Sequence, residues 1–334
     1  MKLTANSIRY LIWLIALGLA VWILSQLPLD ALLNAITDLS LVQWSGWILL
    51  NMLVIALLTA RWLVLTKAMG QSVRFLQLLR IRQAGQLISF VTPGPQFGGE
   101  PLQIYWLWKK FNLPGHAAFL AVGRDRFFEL WINFAILLFA VTVLLVSTSV
   151  AFVEWHYVAT VLIGLLVIMG MSAWLLVQKP LSILHWIKRA TQRWHSHIRL
   201  QQLQDHWSQM NDSLQTLISK RRPSLLTALS LSLLGWAGMI AEFWLLLWFV
   251  DVPLDLMTFV LLFTLVRLAF LLPLPGGIGS VEAALFWAFQ ALALPLTTAA
   301  GLIALMRLRD VIILLLGAVV LPSLQNSEQV AEST

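Results

Sequence analysis

Two apolar regions of this chain, residues 75–110 and 256–294, are each broken near the middle by a cluster of proline and glycine. Such a break frees backbone N–H and C=O groups, and hydrocarbon offers them no partner. It persists only where protein or a water-filled cavity covers it. The breaks sit among long apolar runs at roughly 10–27, 44–66, 127–149, 157–177, 224–250 and 297–321. A helix needs about 20 mostly apolar residues to cross a bilayer, so these six runs read as spans. The expected fold is an all-α polytopic membrane protein: about six spanning helices plus two re-entrant broken-helix hairpins, at 83–110 and 258–294.

Charge content agrees. Charged residues make up 11% of the chain, against about 25% in soluble domains, so most of the surface is expected to face hydrocarbon. There is no cysteine, which excludes disulfides and thiolate metal sites. The first run, Tyr10 to Leu27, lacks a small-residue cleavage site and reads as an uncleaved span. The net charge of +7 would suggest nucleic acid in a soluble protein. Here no basic soluble module exists to carry that role, so no nucleic-acid partner is expected; the charge goes to cytoplasmic loops and anionic headgroups.

The Lys and Arg distribution gives an orientation. Lys2 and Arg9 place the N-terminus in the cytoplasm, and Lys67, Arg74, Arg80 and Arg82 mark the next inside loop. The last run returns to a cytoplasmic C-terminal tail, which makes a multi-pass protein of the inner (plasma) membrane. The whole chain, 1–334, is expected to be a single membrane domain. It divides into N-terminal helices (1–66), a first repeat (75–149), a basic segment (178–223) and a second repeat (256–321). The basic segment carries Lys188, Arg189, Arg221 and Arg222, with apolar residues at helical spacing. It is expected to be an amphipathic helix on the cytoplasmic face. The His195 and His197 pair within it is too sparse to define a metal site, and no metal or other cofactor is expected anywhere.

The two breaks resemble each other. The first reads Thr92-Pro93-Gly94-Pro95, then Gly98-Gly99-Glu100; the second reads Pro275-Gly276-Gly277, then Gly279 and Glu282. Each glutamate is followed by a Leu-Pro pair, Leu113-Pro114 or Leu294-Pro295, and then by an Arg/Asp cluster. Glu100 precedes Arg124 by 24 residues and Glu282 precedes Arg307 by 25. This predicts a duplication, and because the first broken segment starts inside and the second outside, the copies are inverted. Inverted repeats with discontinuous helices at their interface are a secondary-transporter design.

Charges in these segments are costly, roughly 2.5–3.5 kcal/mol each at mid-membrane on insertion scales. Arg124, Arg126, Arg267, Arg307 and Arg309 are expected to converge on one polar cavity and bind an anionic headgroup. The helix starts at Gly98, Gly99, Glu100, Gly276, Gly277, Gly279 and Glu282 would supply exposed N–H groups and a favourable dipole. Arginines outnumber acids near the breaks in this reading, and the surplus is what a headgroup would neutralise. Asp125, Glu129, Glu242 and Asp310 are candidates for coupling or pairing. The alternative is structural: the glutamates cap the helices and the Arg/acid pairs staple them. No paired-carboxylate metal motif is visible, so no catalytic residue is assigned and a transporter is expected rather than an enzyme.

At these residues the chain resembles the transmembrane region of the lysylphosphatidylglycerol synthase/flippase family. The likeness rests on the two glycine-proline clusters and on Arg124-Asp125-Arg126, and it spans roughly residues 5–322. It implies a flippase-like membrane domain without the soluble aminoacyl-transferase part. The expected function is therefore a lipid translocase for an anionic phospholipid or polyprenyl-phosphate-type lipid. The alternatives are a non-catalytic partner of a separate lipid- or glycan-modifying enzyme, or a membrane enzyme acting on a lipid phosphate.

Overall fold

A computed structural model describes residues 37–92, 98–146, 154–178, 222–253 and 255–325. The expected first span (10–27), the first break (93–97) and nearly all of the basic segment (178–223) lie outside the described residues. Among the described residues the protein is all-helical, with no strand. Ser40 opens α1 (Leu41–Ala68) with a reciprocal cap: its hydroxyl accepts the Gln43 N–H at 3.3 Å, and the Gln43 side chain accepts the Ser40 N–H at 2.8 Å. After α1 come α2 (Phe75–Val91), α3 (Glu100–Lys109), α4 (Gly115–Val146) and α5 (Trp155–Gln178). Then follow α6 (Arg222–Phe249), α7 (Leu256–Ala269), a single 3-10 turn (Pro275–Gly277), α8 (Ser280–Ala291) and α9 (Leu296–Gln325).

Four of these helices are long and apolar enough to cross a membrane: α1, α4, α5 and α6. In α5 the side chains of Tyr157, Val161, Ile168, Met171 and Trp174 are more than half exposed. An apolar surface of that extent needs hydrocarbon, not water, around it. The run expected at 297–321 is the 30-residue α9, which has the length of a span but carries Arg307, Arg309 and Asp310. The run expected at 127–149 starts earlier, at Gly115 behind Pro114. Arg124, Asp125 and Arg126 thus lie inside a helix rather than ahead of one.

The duplication is larger than its motifs suggest. Four helices repeat in order: α1-α2-break-α3-α4 and α6-α7-break-α8-α9. Their lengths match closely, at 28, 17, 10 and 32 residues against 28, 14, 12 and 30. The register is also constant. Arg61 to Glu242, Gly98 to Gly279, Pro114 to Pro295, Arg126 to Arg307 and Glu129 to Asp310 are each 181 residues apart. Arg126, not Arg124, is therefore the counterpart of Arg307; Arg124 corresponds to Leu305.

The copies are inverted, and the contact register proves it. Along the α1–α6 interface Trp47 meets Glu242, Val54 meets Gly238 and Leu58 meets Gly235. Numbers rise on one helix as they fall on the other, so these two equivalent helices run antiparallel. A Cβ at Gly235 or Gly238 would sit 2.8 Å from Leu58 or 2.6 Å from Val54, so small residues set how closely the two helices approach. Packing is exchanged between copies: α2 lies along α9, and α7 along α4. The last turns of α9 complete the apolar cluster around α2 and α3, while Ile132 of α4 joins the cluster around α6 to α8.

Candidate functional site

Between the copies lies a cavity of about 250 Å³, lined from α1, α2, α3, α4, α6, α7, α9 and the second break. Its charged lining consists of Arg82, Asp125, Arg126, Glu129, Glu242, Arg267, Arg309 and Asp310. The amides of Asn51, Gln86, Gln103 and Asn133 and the rings of Trp62 and Trp236 complete its polar and aromatic character.

Each break is closed by the same device. In the first copy Glu100 accepts the Gly98 N–H at 2.7 Å and pairs with Arg126 at 2.6 Å. In the second, Glu282 accepts the Gly279 N–H at 2.7 Å and pairs with Arg307 at 2.5 Å. Each arginine then reaches an acid three residues on: Arg126 to Glu129 at 3.2 Å, Arg307 to Asp310 at 2.9 Å. Arg307 also donates to the carbonyls of Gly276 (3.0 Å) and Gly277 (3.2 Å). It thereby satisfies backbone groups that the broken helix has freed. Gly276 has φ +57°, and a Cβ there would overlap the Phe90 ring at 2.2 Å, so this turn tolerates only glycine.

This geometry corrects the expectation that the helix starts present free N–H groups to a ligand. The Gly98 and Gly279 N–H groups are taken by Glu100 and Glu282, and the Gly99 N–H by the Ser89 hydroxyl at 2.9 Å. A tethered carboxylate two or three residues away outcompetes a diffusing anion for the same site. Among the expected binding glycines, Gly276 alone lines the cavity. Arg307 is 2% exposed and fully engaged as a staple beside the cavity.

Arg124 also departs from expectation. It lies two residues before Arg126, roughly 200° away around the helix, and does not line the cavity. It is buried, and all three guanidinium nitrogens lack a hydrogen-bond partner. The cavity does bring together Arg126, Arg267 and Arg309 with Asp125, Glu129, Glu242 and Asp310.

Two arginines outside the expected site complete the network, one of them Arg82, expected in an inside loop and instead buried within α2. Arg61, wholly buried in α1, pairs with Asp125 at 2.8 Å and Glu129 at 3.4 Å. Arg82 pairs with the other oxygen of Asp125 at 2.5 Å and donates to the Leu58 carbonyl at 3.1 Å. The signal for Arg61 was present: an arginine inside an apolar run marks function or pairing by default. Arg82 was hidden because a positive-inside loop explains a basic residue equally well.

Six arginines (61, 82, 126, 267, 307, 309) and six carboxylates (100, 125, 129, 242, 282, 310) make up this network. The expected arginine surplus is therefore absent within it. Arg309 pairs with Glu242 at 2.9 Å and Asp310 at 3.3 Å, and the second Glu242 oxygen accepts the Trp47 indole N–H at 3.2 Å. Arg267 is different. Among the described residues it makes no ion pair; its guanidinium lies 4.2 Å from the Trp236 ring centre and 5.9 Å from that of Phe263.

Comparison with known proteins adds three findings. The family model described as the lysylphosphatidylglycerol synthase TM region matches residues 10–317. A UPF0104 membrane protein of Methanocaldococcus jannaschii is 23% identical over 314 residues, covering 92% of this chain and 91% of its own length. A UPF0104 membrane protein of Methanothermobacter thermautotrophicus is 25% identical over 244 residues, covering 70% and 71%. No solved structure matches the chain.

Proposed function

Because the chain belongs to the family of the lysylphosphatidylglycerol synthase TM region, an integral membrane family, we propose that it is a lipid translocase of the inner membrane, with both termini cytoplasmic. The headgroup of a phosphate-bearing lipid enters the cavity between the inverted copies, and its phosphate binds Arg267. One observation carries this reading. Every carboxylate lining the cavity is paired with an arginine, while Arg267 stacks on aromatic rings and makes no ion pair among the described residues. A half-buried guanidinium without an ion-pair partner is costly, and a lipid phosphate supplies bidentate, charge-assisted hydrogen bonds. The two-fold relation of the copies provides the second conformation that alternating access needs: each copy adopts the arrangement of the other.

The test uses purified protein in liposomes carrying an acyl-chain-labelled phospholipid, with dithionite bleaching the outer leaflet. Wild-type protein should expose the inner-leaflet label. Arg267→Ala should slow this by about tenfold or more, the worth of a charged hydrogen bond. Arg267→Lys should restore part of it, since lysine keeps the charge but loses the planar fork and the stacking on Trp236. Wild-type vesicles that bleach no further than protein-free ones overturn the translocation reading.

A further inference from the structure

We infer that the seam between α4 and α7, beneath α5, is a binding site for hydrocarbon, through which the acyl chains of a membrane lipid reach the bilayer. A headgroup in the cavity is the reading proposed above, on which this inference rests. Chains drawn into that polar cavity would forfeit hydrophobic free energy at every methylene. They stay in the bilayer, and one wall of the cavity must then part along an apolar line.

The repeat builds the same wall twice, as α2 against α9 and as α7 against α4. The 181-residue register allows the two to be compared side chain by side chain. The α2–α9 seam has small residues at Ala84, Gly317 and Ala318. A Cβ at Gly317 would stand 2.7 Å from the Gln83 carbonyl oxygen and 2.9 Å from the Leu87 Cβ, so α9 rests directly on the α2 backbone. At the matching places the α4–α7 seam has Leu265, Ile136 and Leu137. These larger side chains hold their helices apart. Side chains turn aside by changing rotamer, which backbone in contact cannot do.

The α4–α7 seam also leads out of the cavity through hydrocarbon. Leu130 and Leu271 line the cavity and at the same time pack in the apolar cluster shared by α4, α5 and α7. Beyond them no Asp, Glu, Lys or Arg occurs in 130–146 of α4 or 256–266 of α7. In the other seam Arg80 stands at the counterpart of Leu261. Among the described residues α5 is the one helix that belongs to neither copy. Its Trp155, Ala159 and Leu162 share the cluster of Leu137, Val141 and Leu261. Its Val161, Ile168 and Met171 are exposed on the bilayer side. A single helix thus stands between this seam and the surrounding lipid.

The test places the full chain in proteoliposomes with a phospholipid that carries a diazirine within one acyl chain. After illumination, adducts are mapped to residues by mass spectrometry. Any surrounding lipid labels the exposed Val161 and Ile168. Adducts are expected in addition on Leu137, Val141 or Leu261, each 0% exposed in this structure. Adducts confined to exposed residues overturn the inference, as do buried adducts at Ala318 and Leu321 of the α2–α9 seam in place of these. Dithionite bleaching of the same vesicles separates the two readings. Lipid movement without seam adducts leaves translocation standing, whereas seam adducts without movement support the chain site and overturn translocation. Ile136→Gly with Leu265→Ala gives the α4–α7 seam the residues of its counterpart. Seam adducts and lipid movement should both be lost in protein that folds, and movement at the wild-type rate overturns the inference. Should that variant fail to fold, the adducts on the wild-type chain decide.

Discussion

The two copies of the repeat differ most usefully at one pair of positions. In the first copy Asp125 of α4 bridges two buried arginines, Arg61 and Arg82. The register places Met306 of α9 at the equivalent position in the second copy, buried and 3% exposed. Arg267, the counterpart of Gln86, stacks on Trp236 and makes no ion pair among the described residues. Polarity is also reversed one helix away: Arg61 of α1 reaches the acids of α4, whereas its counterpart Glu242 of α6 reaches Arg309 of α9. The same scaffold thus builds one half whose cavity-lining arginines are all ion-paired and one half in which Arg267, also lining the cavity, is not. Inverted repeats need not share chemistry in order to share geometry.

Removing the bridge should give the largest effect. Asp125→Asn leaves Arg61 and Arg82 buried without their common charge, a loss of about 3–5 kcal/mol against a total stability of roughly 5–15. The variant should unfold many degrees lower in detergent and accumulate poorly. A melting temperature near that of the wild type would mean that Asp125 is not the keystone of the first copy.

Adding an acid to the other half sharpens the comparison. Phe263→Asp, four residues before Arg267 on the same helix at a ring that lies 5.9 Å from its guanidinium, should give Arg267 an acid. Lipid movement should then fall by about tenfold, the equivalent of one charged hydrogen bond no longer available to substrate. Unchanged movement in a variant that folds would show that Arg267 does not act through its lack of an ion pair.

The smallest effect is expected at Arg124. Its counterpart in the second copy is Leu305, which packs at 1% exposure. Replacing a buried guanidinium whose donors are all unpaired should remove a desolvation cost of about 1–3 kcal/mol. Arg124→Leu should therefore keep lipid movement and hold or raise the melting temperature. A loss of movement with intact folding would restore Arg124 to the binding site.

Much of this protein is determined locally and is legible in its sequence. Apolar runs of span length, the breaks at Pro-Gly clusters and the glutamates that close them all depend on neighbours within a few residues. The existence of a duplication and its inversion follow from the same signals. Partner choice does not. The Arg61–Asp125, Arg82–Asp125 and Trp47–Glu242 contacts join residues 64, 43 and 195 positions apart, and only packing decides which side chains face each other. Arg124 and Arg126 look alike in sequence, yet a rotation of half a turn sends one into the cavity and the other away from it. The state of Arg267 is likewise a tertiary fact: its guanidinium rests on the ring of Trp236, from another helix, and no carboxylate comes within ion-pair distance among the described residues.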